Sequence, residues 1–315
     1  MAPWPVFRAR GIDPTEPQLL EHPFPAGSLE SALVRGVVRA LGADSVPVVV
    51  ISDPRSAGAL VGLPAPDRIF DAYDAWDLSP LYRASPRRVR EIQAGYAIAA
   101  RHADLVVANT PAMAERFRRL GARAIELLPN GAPAVDPSLT PARPPADVVY
   151  VGNVQPRLRV DLMLAAADAA AAAGVHMRIV GAIQVLPPEW ERLLRHSAVR
   201  YEGARYESEM RGIVRQAAVG IIPHVVDEYT LAQDAMKTWD YLAWGLAIVS
   251  TSVPPASHLP FLGIVADDPP AFRAGVAEAL RGLTPTAFEW QRELAVENSW
   301  ARRAASLRAL IESQR

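Results

Sequence analysis

Apolar residues along this chain gather in short unbroken runs, separated by stretches whose apolar positions recur at helical spacing. Pro47–Ser52 contains the first clear run, and another ends at Ile69-Phe70. Leu105–Ala108, Ala124–Leu128, Asp147–Val151, His176–Val180, Val219–Ile222 and Leu246–Ser250 continue the series. A strand covered on both faces needs such a run, and strands that alternate with helices predict an α/β protein with parallel sheets. Helices are expected at about Ser28 to Leu41, Pro86 to His102, Pro111 to Leu120, Leu158 to Ala173 and Asp234 to Trp244. A last one, from Thr284 to Glu312, is broken near Asn298-Ser299. Asn130-Gly131 reads as a turn, and residues 1–30 are Pro-rich and poorly patterned.

Between Ala132 and Pro145 the chain carries Pro133, Pro137, Pro141, Pro144 and Pro145, the composition of a semi-stiff joint. The strand–helix pattern restarts after it. The expected organisation is therefore a first Rossmann-like domain over 1–140 and a second over 141–290. Residues 291–315 form a closing helix that crosses back. Two such halves suggest an enzyme with its ligand in the cleft between them, outside the carboxyl ends of the strands.

Composition narrows the class. With 315 residues, 50% hydrophobic and 21% charged, and a formal net charge of -1, the chain has no global pull toward nucleic acid. It has no cysteine, so disulfides, thiolate metal sites and cysteine nucleophiles are excluded. The opening MAPWPVFRAR lacks the apolar core of a signal peptide, and no apolar run approaches the ~18 residues of a membrane span. A cytoplasmic enzyme is the expectation. Arginines at 83, 87, 88, 90, 116, 118 and 119 suggest peripheral contact with the inner face of an anionic membrane. Solvated helix faces are the commoner origin of such runs.

All but one of the 33 basic residues are arginine, and the exception is Lys237. If Asp234 caps the helix that follows the strand Val219–Ile222, Lys237 falls in its first turn. A cation there opposes the helix dipole unless an anion binds the same N-terminus. Diphosphate is the obvious anion. Gln233 at i-4 and Asp240 at i+3 would share the face of Lys237, and a carboxylate one turn on could accept ribose hydroxyls. A surface Gln–Lys–Asp pairing explains the same spacing.

The segment Met236-Lys237-Thr-Trp-Asp240-Tyr241-Leu242-Ala243-Trp-Gly245, running into Ile248-Val249-Ser250-Thr251, resembles the donor-site signature of bacterial GT-B glycosyltransferases related to family 4. The nearest likeness is to teichuronic-acid and xanthan-type glucuronosyltransferases of polysaccharide assembly. Val106–Met113 through Gly131, and Tyr150-Val-Gly152-Asn153 through Gly181, resemble two further blocks of the same family in order and spacing. The resemblance runs from about Ile69 to the C-terminus. It implies two Rossmann-like domains facing across a cleft and a nucleoside-diphosphate sugar as donor. Lys237 would hold the diphosphate and Asp240 the ribose. Gly152 and Asn153 would allow close approach of the sugar phosphate, Arg157 or Arg159 would add a second phosphate contact, and Tyr206 would lie against the base. For both arginines and for Tyr206 an ordinary surface role is the competing reading. His224, just past the strand, is a further candidate for donor sugar or phosphate, or else a structural histidine.

One departure bears on mechanism. Retaining members carry a glutamate eight residues before the acidic position held here by Asp240, and this chain has Ala232 there. Asp227 and Glu228 would need a loop rearrangement to replace it, so inversion is slightly favoured. Inversion needs a general base on the acceptor hydroxyl. The resemblance points to the acidic loop after Ile69-Phe70, with Asp74 as first choice and Asp71 as second. Tyr73, Trp76 and Asp77 would meet the acceptor, although an acidic surface loop or a helix cap at Asp77 fits the pattern too. His102, near a helix end, reads as structural; His22, His176, His196 and His258 show no ligand spacing, and no cofactor or metal is expected. The expected reaction moves a sugar to a hydroxyl of a glycan, a lipid-linked sugar or a small molecule. A nucleotide-sugar epimerase and an inactive nucleotide-sugar-binding protein are the rivals.

Overall fold

The computed structural model describes residues 48–63, 67–138, 140, 146–258 and 263–313, with isolated positions between 32 and 40. Those isolated positions are helical, in line with the helix expected at Ser28 to Leu41, whose remainder lies outside the described residues together with 1–30 and His22. The chain forms two compact units. One comprises Met1–Tyr73, Ser85–Ala108 and Met113–Leu127, and the other Asp74–Ala84, Asn109–Ala112 and Leu128–Arg315.

The first unit holds a parallel sheet of β1 (Val48–Ile51), β2 (Asp67–Ala72), β3 (Leu105–Ala108) and β4 (Ile125–Leu127), in that spatial order. The helix Pro86–His102 starts at Ser85, whose hydroxyl accepts the Arg88 N–H, and Pro86 presets the first turn. Its inner face packs Tyr96 edge-on against Phe70 and Phe117, at 6.2 and 5.6 Å between ring centroids. Gly95 lies so close to the 3-10 turn Pro54–Leu60 that a Cβ would meet the Pro54 carbonyl at 1.8 Å.

The second unit is a six-stranded parallel sheet. Its strands are β5 (Asp147–Val151), β6 (Met177–Val180), β7 (Val199–Gly203), β8 (Ala217–Ile222), β9 (Ala247–Ser250) and β10 (Gly263–Val265). Their spatial order, β10-β9-β8-β5-β6-β7, is that of a dinucleotide-type doubly wound sheet, with the direction of winding reversing between β5 and β8. The alanine-rich helix Val160–Ala172 covers one face, where Ala166, Ala167 and Ala170 bring its backbone close enough for Phe272 and Val276 to fill the core. The opposite face is closed by Trp239, Tyr241 and Leu242 with Ala295.

Two local expectations need correction. Asn130-Gly131 is not a turn: the segment has no turn or regular structure, Ala132 pairs with Ser299, and a Cβ on Gly131 would lie 2.6 Å from the Trp300 backbone nitrogen. Nor is the whole of 132–145 a joint, because Ala132 and Val135 pack on the second unit's core and Asp136 pairs with Arg215 at 2.7 Å. The C-terminal stretch is indeed two helices, Pro285–Glu297 and Trp300–Ser313, parted at Asn298-Ser299. Strands β7 and β10 are edges of the sheet. An edge strand has one neighbour and partial cover, so it needs no long apolar run, and neither of these two strands has one.

Candidate functional site

The reversal between β5 and β8 leaves a crevice at their carboxyl ends, where open α/β sheets bind ligands. β5 gives way to Gly152 and β8 to Pro223-His224. The two following segments are laced together: the Arg159 N–H donates to the Pro223 carbonyl at 2.8 Å, and the Val225 N–H to the Arg157 carbonyl at 2.7 Å. Arg157 and His224 are thereby fixed beside each other.

The helix Met236–Ala243 is aimed at this crevice by Tyr241. Its buried hydroxyl accepts the Val151 N–H at 3.0 Å and donates to the Ile221 carbonyl at 3.3 Å, so it ties the helix to the ends of β5 and β8 together. Gly220 makes room for the ring, since a Cβ there would sit 2.5 Å from it. Asp234 is not the cap of this helix. The capping position is Ala235, which has no side-chain oxygen to offer. The Asp234 carboxylate instead accepts the Asn130 backbone N–H at 2.6 Å and the Trp239 indole N–H at 3.0 Å. The first-turn N–H groups are therefore left without a capping side chain, as an anion site requires.

Lys237 lies in that first turn. Its side chain is half-buried as a whole, and the ammonium is the enclosed end: a Cβ on Gly152 would lie 2.5 Å from Cε and 2.6 Å from Nζ. Gly152 has φ of 145°, a region that side chains avoid, so both its backbone and its bareness are needed. Nζ also stands 5.3 Å from the centroid of the Tyr150 ring. Burial pulls the lysine down to about 7, with repulsion from Arg157 adding and Asp240 opposing. Asp240 is pushed up to about 6 by burial, against the pull of Lys237. The Arg157 Nε is buried without a hydrogen-bond partner. His224 is 4% exposed, its Nε2 also lacks one, and burial followed by Lys237 and Arg157 drives its pKa well below the usual range. Crowded cations and unsatisfied donors of this kind mark a place for an anion.

Gln233 is brought to the same cluster, though not as expected. It precedes the helix rather than sharing the Lys237 face, and its amide accepts from Arg157 Nη1 at 3.2 Å and donates to Asp74 Oδ1 at 2.8 Å. Asp74 faces Tyr229, whose hydroxyl is 3.5 Å from Oδ2. Burial raises the Asp74 pKa, opposed by Gln233, Arg157, Tyr229 and the Ala75 backbone. Tyr229 and Tyr150 were not foreseen; the only signal for them was aromatic character next to motif residues.

Other candidates stand apart. Tyr206 is 84% exposed at the start of the helix Glu207–Val214. Arg159 is paired with Asp161 through Nε at 2.8 Å, and Asn153 is exposed. Asp71 is not in a loop, because β2 runs through it to Ala72, and it belongs to the first unit, as does Tyr73. Burial with no opposing partner raises Asp71 to about 6. Trp76 stacks on Tyr82 with centroids 5.8 Å apart, and Asp77 is buried in the 3-10 turn Trp76–Leu78 without capping the next helix, which Ser79 does. Asp227 caps Glu228–Leu231 through the Thr230 N–H, so it is not available at the Ala232 position. Arg87 pairs with Glu91, and Arg118 and Arg119 with Glu115, which leaves less free positive charge than the sequence suggested. Among the described residues no helix is long and apolar enough to cross a membrane.

Fold and site together define a two-domain, parallel α/β protein with crowded cations and unsatisfied donors at a sheet's switch point. Residues 145–281 match the family described as glycosyl transferases group 1, and residues 4–131 match the glycosyl transferase 4-like domain. The chain belongs to the GT-B glycosyltransferases related to family 4, and its activity is sugar transfer from a nucleoside-diphosphate sugar. No curated protein matches it in sequence.

Solved structures resemble it in fold. A UDP-forming α,α-trehalose-phosphate synthase from Burkholderia xenovorans is 12% identical, with a TM-score of 0.65 over 90% of this chain and 77% of that one. Sucrose-phosphate synthase from Thermosynechococcus elongatus is 15% identical, with a TM-score of 0.64 over 96% and 86%. The E. coli trehalose-6-phosphate protein bound with UDP-2-fluoro glucose is 11% identical, with a TM-score of 0.66 over 90% and 76%.

Proposed function

We propose that this glycosyltransferase acts with inversion and without a metal cofactor, on a hydroxyl of a glycan, a lipid-linked sugar or a small natural product. The observation that carries the donor assignment is the enclosed Lys237 ammonium, lying on bare Gly152 beside Arg157 at an uncapped helix N-terminus. A diphosphate there receives both cations, the backbone N–H groups and the His224 imidazole, and Asp240 one turn on receives the ribose hydroxyls. The two neighbouring cations stabilise the leaving diphosphate as its bond to the anomeric carbon breaks, the part a metal plays in other transferases.

Asp74 serves as the general base. It accepts the proton of the acceptor hydroxyl, the acceptor oxygen forms its bond to the anomeric carbon, and the electron pair of the old bond leaves with the diphosphate. A buried carboxylate with a raised pKa suits this task. Inversion is supported by the buried alanine at position 232, whose carbonyl accepts the Thr110 hydroxyl, and by the capping duty of Asp227. Trp76, stacked on Tyr82, offers its indole to the acceptor sugar.

Three measurements test the reading. Lys237→Met is expected to weaken nucleoside-diphosphate binding at least tenfold by calorimetry, and unchanged affinity would remove the donor assignment. Asp74→Asn is expected to abolish most turnover with donor affinity kept, and full activity would remove it as base. NMR of the product anomer reads the stereochemistry, where retention would overturn inversion. Interconversion of the donor sugar without acceptor would point to an epimerase, and binding without turnover to an inactive protein.

A further inference from the structure

We infer that Gln233 is a positioning residue that holds Asp74 in its working state and ties it to the donor side through Arg157. The inference rests on the reading of Asp74 as the base. Its ground is the chemistry of one amide. A guanidinium only donates, so the Gln233 Oε1 must face Arg157, as it does at 3.2 Å. The amide cannot then turn over, and its Nε2, which only donates, is directed at Asp74 Oδ1 at 2.8 Å. Such a bond favours the ionised carboxylate over the protonated one.

Among the described residues, the groups that act on Asp74 include Gln233 from the loop before the helix Met236–Ala243, Tyr229 from Glu228–Leu231, Arg157 from the segment after β5, and the Ala75 backbone of its own segment. Burial works against ionisation and these groups work for it. Tyr229 keeps its proton throughout the working range, since burial and the Asp74 charge both raise it. Arg157 is also the cation offered to the diphosphate. Donor binding therefore reaches Asp74 through the Gln233 amide as well as through the Arg157 charge itself, and the base is aligned when the donor is present.

The test compares pH profiles of turnover at saturating donor for the full chain and for Gln233→Met and Gln233→Glu. Methionine keeps the length and removes both hydrogen bonds. The acidic limb, which reports Asp74 ionisation, is expected to move up by about one unit in Gln233→Met and further in Gln233→Glu, where two carboxylates face each other. Donor KM is expected to rise less than fivefold in Gln233→Met, since Lys237 remains. A reduced rate with an unmoved limb in both variants would overturn the positioning role. Asp74→Asn separates the two claims: if it keeps full activity, the base assignment fails. If it loses activity while the Gln233 limbs stay in place, only the inference fails. Circular dichroism and the melting temperature confirm that each variant is folded.

Discussion

Raising the pH should loosen the donor by an amount that the burial of Lys237 sets. The lysine sits near 7 in the unliganded protein, against an ordinary 10.5. A bound diphosphate restores the proton, because it supplies the counter-charge that the enclosed site lacks. Above pH 7 each binding event must then take up a proton, and affinity falls as that proton becomes scarce. If the bound lysine returns to its ordinary value, affinity drops about 50-fold between pH 7 and pH 9, or about 2.3 kcal/mol. The nucleotide contributes little, since a terminal phosphate with a second pKa of about 6 is already ionised. His224 is neutral across the window and Asp240 is charged. The sign is opposite for the unliganded fold. Its lysine has lost a proton that the unfolded chain keeps between about 7 and 10.5, so stability rises with pH through that interval. Titration calorimetry of a nucleoside diphosphate in two buffers of different ionisation heat reads affinity and proton uptake together. At pH 8 the expected uptake is about 0.9 proton per site. A flat affinity from pH 7 to 9 with no uptake would refute the reasoning.

Other outcomes follow from the same geometry. Gly152→Ala places a Cβ 2.5 Å from the Lys237 Cε at an unfavourable φ, so it should displace the ammonium and weaken nucleotide binding at least tenfold in a folded protein; calorimetry with a melting curve checks both. Tyr241→Phe leaves the Val151 N–H without its buried acceptor and should destabilise the protein by about 1–3 kcal/mol, read by urea unfolding of the second unit. Asp71→Asn should stabilise the first unit by up to about 3 kcal/mol at pH 7.5 and by about half of that at pH 5, where the folded carboxyl is neutral but the unfolded one must still take up a proton on folding; equal effects at both pH values would contradict its raised pKa. Added chelator should leave the transfer rate unchanged, and loss of rate that zinc or magnesium restores would contradict the metal-free step.

How much of this was legible beforehand depends on the range of the interaction. Val-rich runs announce strands because a strand covered by helices on both faces must be apolar throughout, and Asp147–Val151 and Leu105–Ala108 lie where the pattern put them. The face shared by Lys237 and Asp240 was readable for a similar reason, since a helix converts spacing into direction. Helix starts were less so. Asp234 has the chemistry of a cap, and only the packing of Asn130 and Trp239 against it draws it away and moves the start to Ala235.

By itself the sequence determined the parallel α/β class, the placement of the single lysine in the first turn of a helix, and the absence of a carboxylate at position 232. Local propensity and short-range spacing decide such things. Tertiary structure alone decided that Gln233 leaves the helix face and bridges Arg157, 76 residues away, to Asp74, 159 residues away. It also decided that Tyr206 and Arg159 stand outside the cluster while Tyr229 and Tyr150 stand within it. No local pattern encodes these meetings. They follow from the reversal of winding between β5 and β8, which brings the carboxyl ends of two distant strands together and leaves the charges gathered there short of water.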